Sequence, residues 1–442
     1  MQDSAPSAAP VPVSAPDRSQ LPEATEIIPH REAAEAFVTR ICFKIGPPRL
    51  VGIELEWLLH DRRTPTEPLS SSRLAAALGP WSPPALHFSQ ASRDPQSSRL
   101  SNAPAPILPN GSAVTVEPGG QLEISTAPAH SLGECIAAAT ADTRLIHGRL
   151  ARAGLTALGA GADPYRLPAR ILDVPRYVAM EAYFDEHGPS GRVMMGATAA
   201  VQPCLDAGRA AGPDSFVSRW QTLHAIGPAL VAMFANSPVL AGRPTGWRSS
   251  RQAAWLDIDP ARTAPPAAGG DPRDVYARYA LDAPLLCIRR DDGPWSAPPG
   301  ITFADWLGGG LHPAPTYDDL AYHLSTLFPP VRPSGHLEVR YLDAQPDDGW
   351  MVAAAVTWAL TATSRARDAA DAAAEPVAGR WIDAARLGLA DPAIAQAARS
   401  LIEVALDGLA GQPAHITSRV AEFADRYPMR GRSPADDWEV AR

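Results

Sequence analysis

Lysine is almost missing from this chain: among 39 Lys and Arg residues Lys44 is the only lysine, and the others are arginine. Several chemistries fall with it. A P-loop needs the lysine of G-x-x-x-x-G-K-[ST], a protein kinase needs its strand lysine, and Schiff-base catalysis needs a desolvated amine. Lys44, in ICFKIGPP, sits in none of these settings, so any phosphate is handled by arginine and metal. Cysteine is scarce as well. Cys42, Cys135, Cys204 and Cys287 are scattered without a C-x-x-C pair, which leaves no basis for a disulfide framework or a cysteine zinc site. No histidine spacing matches a zinc helix, and neither G-x-S-x-G nor a G-x-G-x-x-G after a strand occurs, so acyl-serine hydrolysis and dinucleotide binding lack support. Positive charge is not in excess: the net charge of −9 disfavours a nucleic-acid surface. Long hydrophobic runs are lacking too. The longest uncharged stretch, Ala225 to Gly242, is broken by Pro228, Asn236 and Pro238 and reads as a buried helix followed by a turn, not a membrane span.

Proline is abundant, at 47 of 442 residues, about twice its usual share of about 5%. Much of it lies in loops. Residues 1–28 are rich in Ala, Pro and Ser and are expected to form a disordered tail, with no charged n-region and apolar h-region of a signal peptide. Residues 29–430 are expected to be a single catalytic domain, without repeats or Gly/Ser linkers, and 431–442 a flexible C-terminus. A cytoplasmic protein is the expectation.

Hydrophobic period then places the elements. A helix is expected over 31–44. In Val51-Gly-Ile-Glu-Leu-Glu-Trp-Leu-Leu59 the apolar residues Val51, Ile53, Leu55, Trp57 and Leu59 alternate at period two, which predicts a strand with one buried face. A Pro/Ser-rich loop follows over 61–112, then a strand pair within 113–125 (AVTVEPGGQLEIS) around a Pro118-Gly-Gly120 turn. Ser131 and Glu134 predict a capping box opening a helix to about 152. Helices are expected over 176–187, 215–235 and 271–282, strands near 193–206, 253–258 and 284–289, and a strand over 336–342 (HLEVRYL). From 350 onward the chain is Ala-rich and helical. Strands separated by helices and long loops, with polar alternation on one face, predict an α+β fold on a largely antiparallel sheet whose polar face is a site.

Glu54 and Glu56, two apart on a strand, project from one face about 7 Å apart. An isolated E-x-E is commonly a solvated edge, but the pattern recurs. Gln121 and Glu123 share a face opposite Leu122 and Ile124, with Glu117 before the Pro-Gly-Gly turn, and His336, Glu338 and Arg340 alternate with Leu337, Val339 and Tyr341. If three such strands converge, Glu54, Glu56, Glu117, Glu123 and Glu338 repel one another unless cations intervene or protons are taken up. Hard divalent ions meet that condition, and Mg²⁺ in particular is held by a few carboxylates plus substrate phosphates. Arg340, and Arg251 in GWRSSRQAAW, can each grip a carboxylate or phosphate through two N–H groups at once. His60, His224 and His323 sit in apolar or helical settings that fit satisfied structural histidines better than ligands.

The segments GIELEW, EPGGQLEIS, ANSPVLAGRPTGWRSSRQ and HLSTLFPPVRPSGHLEVRYLD resemble, in matching order over about 32–360, the glutamate-cysteine ligases of the plant and bacterial branch, most of all the bacterial subgroup that makes γ-glutamylcysteine for ergothioneine synthesis. The resemblance implies a glutamine-synthetase-like carboxylate-amine ligase fold, with a curved, largely antiparallel sheet flanked by helices and enclosing a cavity for ATP, two or three Mg²⁺ ions, L-glutamate and L-cysteine. By motif position it implies Glu54, Glu56, Glu117, Glu123 and Glu338 as metal carboxylates, with Glu54 also catalytic. Gln202 faces metal or substrate, Arg251 grips glutamate, and Arg340 binds substrate and stabilises the transferring phosphoryl group. One departure stands out. Where the family reads V-Q-V-N-L-D, this chain has Val201-Gln-Pro-Cys-Leu-Asp206, so a proline enters a strand and Cys204 replaces an Asn donor. Either the strand is an edge there or substrate contacts differ.

The implied reaction passes the γ-phosphoryl of ATP to the side-chain carboxylate of glutamate, after which the amine of cysteine displaces phosphate, with no protein nucleophile or lysine. A loop over 241–250 is expected to cover the site against water. Two alternatives stay open: a ligase joining glutamate to a different amine, and a non-catalytic nucleotide- and amino-acid-binding protein or metal-dependent phosphohydrolase. No nucleic-acid or membrane partner is expected.

Overall fold

The structure is a computed structural model and describes residues 21–88 and 104–438. The expected tail therefore lies outside the described residues up to position 20; Ile28 is already buried, and Ile27 bridges Thr316. Among the described residues no helix is long and apolar enough to cross a membrane.

The alternation in the first strand organises the molecule. β1 (Val51–Asp61) is eleven residues long, and Val51, Ile53, Leu55, Trp57 and Leu59 are each at most 4% exposed. At about 1.5–3 kcal/mol for each such side chain, their burial fixes which face turns inward, since a one-residue slip would drive Glu54 and Glu56 into the core. β1 pairs antiparallel with three partners: β3 (Leu122–Ser125), β4 (Leu155–Leu158) and β5 (Ala200–Leu205). β2 (Ala113–Val116) extends the sheet beyond β3. After the two-stranded hairpin of β6 (Val239–Leu240) and β7 (Arg243–Pro244), the strands β8 (Val331–Pro333), β9 (Leu337–Val339) and β10 (Leu342–Asp343) complete the sheet against β5. Its order is β2-β3-β1-β5-β9-β8, with β10 on β5 and β4 on β1. Helices Leu132–Arg152 and Gly349–Ala362 pack against the strands, and the Ala-rich C-terminal helices 364–374, 392–408 and 414–426 form a further layer. This is the α+β architecture expected, an antiparallel sheet flanked by helices.

Five local expectations are corrected. Residues 253–258 belong to a helix, Ser250–Ile258, whose N-cap Ser249 accepts from Gln252 N; the apolar run AAWLDI hid the S-x-x-Q start signal. Residues 284–289 form isolated bridges only, and 193–197 end a helix, Ser190–Ala197, before β5 begins at Ala200. The loop over 61–112 holds a helix, Ser71–Leu78, capped by Ser70. The C-terminal stretch expected to be flexible from 431 is held as far as Trp438: Ser433 opens a capped turn, Ala435 N donates to Ala235 O, and Trp438 Nε1 donates to Asn236 Oδ1 at 2.8 Å.

Candidate active site

Antiparallel pairing brings opposed residues onto one face. Glu56 stands opposite Glu123 and Glu54 opposite Gln202; Cys204 stands opposite Glu338, which faces Arg332 across β8–β9. The polar residues of five separate strands thus form one row, so the three strands whose alternation recurs in the sequence do converge. All of these residues but Cys204 and Glu338 line a cavity of about 380 Å³, together with Glu117, Arg251 and Arg340 and with Arg176, Tyr177, Met195, Trp255 and Phe328 among its other walls. A second cavity of about 400 Å³, beside Arg49, His130 and Trp358, has no carboxylate in its lining.

Electrostatics separates the five glutamates into two groups. Burial, then the charges of Glu338 and Glu123, raises the Glu54 carboxyl well above its ordinary range. Burial and the neighbouring Glu123 push Glu56 up to about 7, and burial with Glu123 and Glu56 pushes Glu117 up to about 8. Glu123 is raised by burial, although Thr115 Oγ1 donates to it at 2.5 Å. Glu338 differs. Burial alone would raise it, but Arg332 donates to both its oxygens at 3.0 Å and Arg340 Nη1 donates to Oε1, and these charges hold it down to about 2. Both of its oxygens are occupied.

The arginines divide the same way. Arg332 and Arg340 are paired with Glu338. Arg251, 2% exposed, donates Nη2 to Arg340 O at 2.6 Å and leaves Nη1 buried without a partner. The ring of Trp255 stands between the two clusters, with the guanidinium carbons of Arg251 and Arg340 each 5.6 Å from its centroid. Arg176, also in the lining, donates to Ser325 Oγ and Ser325 O.

Gln202 donates to Glu56 Oε1 at 2.9 Å and to Glu54 Oε2 at 3.4 Å, while its Oε1 is buried without a partner. A buried acceptor beside four carboxylates that burial pushes toward protonation is a donor set short of cations. The carboxylates do not close on one point, however: among the described residues no group of three or more His, Cys, Asp or Glu side chains is placed to hold a metal ion. An ion held here would take one or two carboxylates and complete its shell with other oxygens, which is how Mg²⁺ is commonly held.

The Pro118-Gly-Gly120 turn brings backbone close to protein: a Cβ on Gly119 would lie 2.4 Å from Gly196 O. Gln121 pins that turn, donating to Met195 O and Thr198 O and accepting from Gly119 N. The loop 241–250, expected to cover the site, supplies none of the cavity's lining residues; Ala241 N and Gly242 N donate instead to Asp163 O and Pro164 O. His60, His224 and His323 are structural, as expected, bonded to Asp163, Trp220 O and Ala280 O. Sequence reasoning missed Arg176, Trp255, Phe328 and Arg332. Trp255 was within reach, since it follows Arg251 by four residues on the helix misread as a strand. Arg332, between prolines on a three-residue strand, left no periodic signal.

A family model described as glutamate-cysteine ligase family 2 (GCS2) matches residues 50–438. Glutamate–cysteine ligase EgtA of Mycobacterium tuberculosis (strain H37Rv) is 37% identical over 426 residues, covering 94% of this chain and 91% of its own length. EgtA of Mycolicibacterium smegmatis is 37% identical over 421 residues, covering 92% and 90%. A chloroplastic glutamate–cysteine ligase of Arabidopsis thaliana is 33% identical over 243 residues, covering 53% of this chain and 46% of its own. Among solved structures, glutamate–cysteine ligase from Francisella tularensis in complex with AMP superposes with a TM-score of 0.49 at 15% identity, covering 88% of this chain and 84% of its own.

Proposed function

The chain belongs to glutamate-cysteine ligase family 2, and from that premise we propose that it uses ATP to join the side-chain carboxylate of L-glutamate to the amine of L-cysteine. One observation carries this reading: a single cavity gathers four mutually repelling glutamates and several arginines, two of which, Arg251 and Arg340, each bury an N–H without a partner. That is a site for phosphate, cations and an amino-acid carboxylate together.

Arg251 offers its unpartnered Nη1 to the glutamate substrate. Arg340, held by Glu338, and Arg176, also in the cavity lining, present positive charge to the phosphoryl group passing from ATP to the glutamate side chain, where fixed dipoles and charges in an enclosed site act more strongly than in water. Cysteine's amine then attacks the γ-glutamyl phosphate and phosphate leaves. Glu54, Glu56, Glu117 and Glu123, with the free oxygen of Gln202, would hold the Mg²⁺ ions; Glu338 already accepts three guanidinium N–H groups and lies outside the cavity lining. When bound, Mg²⁺ would neutralise charge on the phosphate oxygens. Met180, Met194 and Met195 on the cavity wall give a soft apolar surface that suits a small thiol side chain better than a charged one, which favours cysteine over a cationic amine. The EgtA relatives, matched over about nine-tenths of both chains, support a role for the γ-glutamylcysteine product in ergothioneine synthesis.

Purified protein supplied with ATP and Mg²⁺ is expected to release ADP and phosphate only when glutamate and cysteine are both present, with a product of the mass of γ-glutamylcysteine. ADP release with glutamate and another amine but not with cysteine would replace the substrate assignment. Turnover of ATP without any amino acid would indicate a phosphohydrolase instead.

A further inference from the structure

The polar groups around Arg251 lead to a carboxylate that the chemistry above leaves unused. Asp343 ends β10 and is 2% exposed. Its Oδ1 accepts from Ser249 Oγ at 2.8 Å, and its Oδ2 accepts from Ser237 Oγ at 2.7 Å and Asn236 N at 2.9 Å. The chain presses against it so closely that a Cβ on Gly161 would lie 2.4 Å from Asp343 Cγ.

Both hydroxyls work at the start of the helix that carries Arg251. The first N–H groups of any helix have no partner inside it. Here Ser250 N donates to Ser237 O, Arg251 N to Ser237 Oγ, and Gln252 N to Ser249 Oγ. A hydroxyl whose proton is committed to a carboxylate has its lone pairs turned toward the remaining donor, so Asp343 orients two of the three acceptors. The helix side chains then grip the segment just before Asp343, with Arg251 Nη2 on Arg340 O and Gln252 Nε2 on Tyr341 O at 3.1 Å. Asn236 extends the frame: its side chain donates to Gly159 O and Ala344 O and accepts from Trp438 Nε1.

We propose that Asp343 is the positioning residue that aims Arg251 at the glutamate carboxylate, by fastening the first turn of the helix Ser250–Ile258 through Ser237 and Ser249. This rests on the reading of Arg251 given above. Arg251 is a long lever on a short helix, and a displacement of about 1 Å at a binding group can cost about 100-fold in rate. Three donors converge on the Asp343 carboxyl, and they and the charge of Arg251 offset part of the burial that pushes it up.

The test compares steady-state kinetics of Asp343→Asn, Ser249→Ala and Arg251→Lys, each checked for folding by circular dichroism. Asp343→Asn and Ser249→Ala are expected to raise the KM for glutamate, by about tenfold for Asp343→Asn and less for Ser249→Ala, while kcat and the KM for ATP stay within about threefold. In an Arg251→Lys background neither should raise it much further, because a residue acting through Arg251 is not additive with it. Should Asp343→Asn fail to fold, Ser249→Ala, which removes one hydroxyl, carries the test. A glutamate KM raised by Arg251→Lys but unchanged in the folded Asp343 or Ser249 variants overturns the role of Asp343 alone, as does full additivity in the double variant. An unchanged glutamate KM in Arg251→Lys overturns the assignment of Arg251 itself.

Discussion

At the scale of the residue, identical side chains on one sheet face have opposite energetics. Glu56 faces Glu123 and is raised to about 7 by burial and repulsion, whereas Glu338 lies between Arg332 and Arg340 and is held down to about 2 against its burial. The same isosteric change should therefore act in opposite directions. In protein stripped of metal by a chelator, Glu56→Gln removes a repelling charge and should raise Tm by about 1–2 °C, while ADP release falls about 100-fold or more for want of a cation ligand. Glu338→Gln leaves two arginines without their carboxylate and should cost about 3–5 kcal/mol. Differential scanning calorimetry with and without Mg²⁺, beside a coupled ADP assay, reads both. A lower Tm for metal-free Glu56→Gln, or an unchanged one for Glu338→Gln, would refute the division. The alternation G-I-E-L-E-W told that Glu54 and Glu56 share a face; it held nothing about which carboxylate meets an arginine.

At the scale of the element, β5 settles the question its proline raised. It is no edge: β1 lies on one side and β9 and β10 on the other. Ile53, opposite Pro203, turns its own N–H and C=O away, toward Thr126, so the ladder between β1 and β5 asks no N–H of Pro203. On the far side β10 covers residues 200–201 and β9 covers 204–205, which leaves Pro203 facing the break between them. At that break the carbonyls of Arg340 and Tyr341 accept from Arg251 and Gln252, so the interruption that tolerates proline also admits the binding helix. Pro203→Ala should then lower stability in urea by no more than about 1 kcal/mol, the effect of a looser unfolded chain. A loss of several kcal/mol would mean that the proline shapes the strand itself. The strand was legible from its neighbours' period, but its place inside the sheet was not, because pairing partners come from segments more than a hundred residues apart.

At the scale of the whole molecule, the helical layers bury imidazoles that the chemistry does not use. His323 is 3% exposed, with Nε2 bonded to Ala280 O, and burial lowers it to about 3; burial likewise lowers His224 to about 4. In the native chain these rings stay neutral, while in the unfolded chain they take up protons below about pH 6.5. Their contribution to stability is thus complete above that pH and is lost as pH falls toward their native values. Removing this term with His323→Gln should reduce the loss of stability between pH 7 and pH 5 by on the order of 1–2 kcal/mol, measured by urea unfolding at both pH values. An equal loss in the variant and the parent would rule it out.

The sequence alone determined the excluded chemistries, through its single lysine and scattered cysteines, and it determined the carboxylate face, because a period of two in a half-buried strand leaves each side chain only one direction. The roles expected of Arg251 and Arg340 came from the family resemblance, not from their period or spacing. The tertiary structure alone decided which charges are satisfied: Arg332 with Glu338, the free Nη1 of Arg251, and the hold of Asp343 on the helix Ser250–Ile258. Ion pairs and helix starts depend on distances of a few ångströms between distant segments, and local periodicity carries no information about distances of that kind.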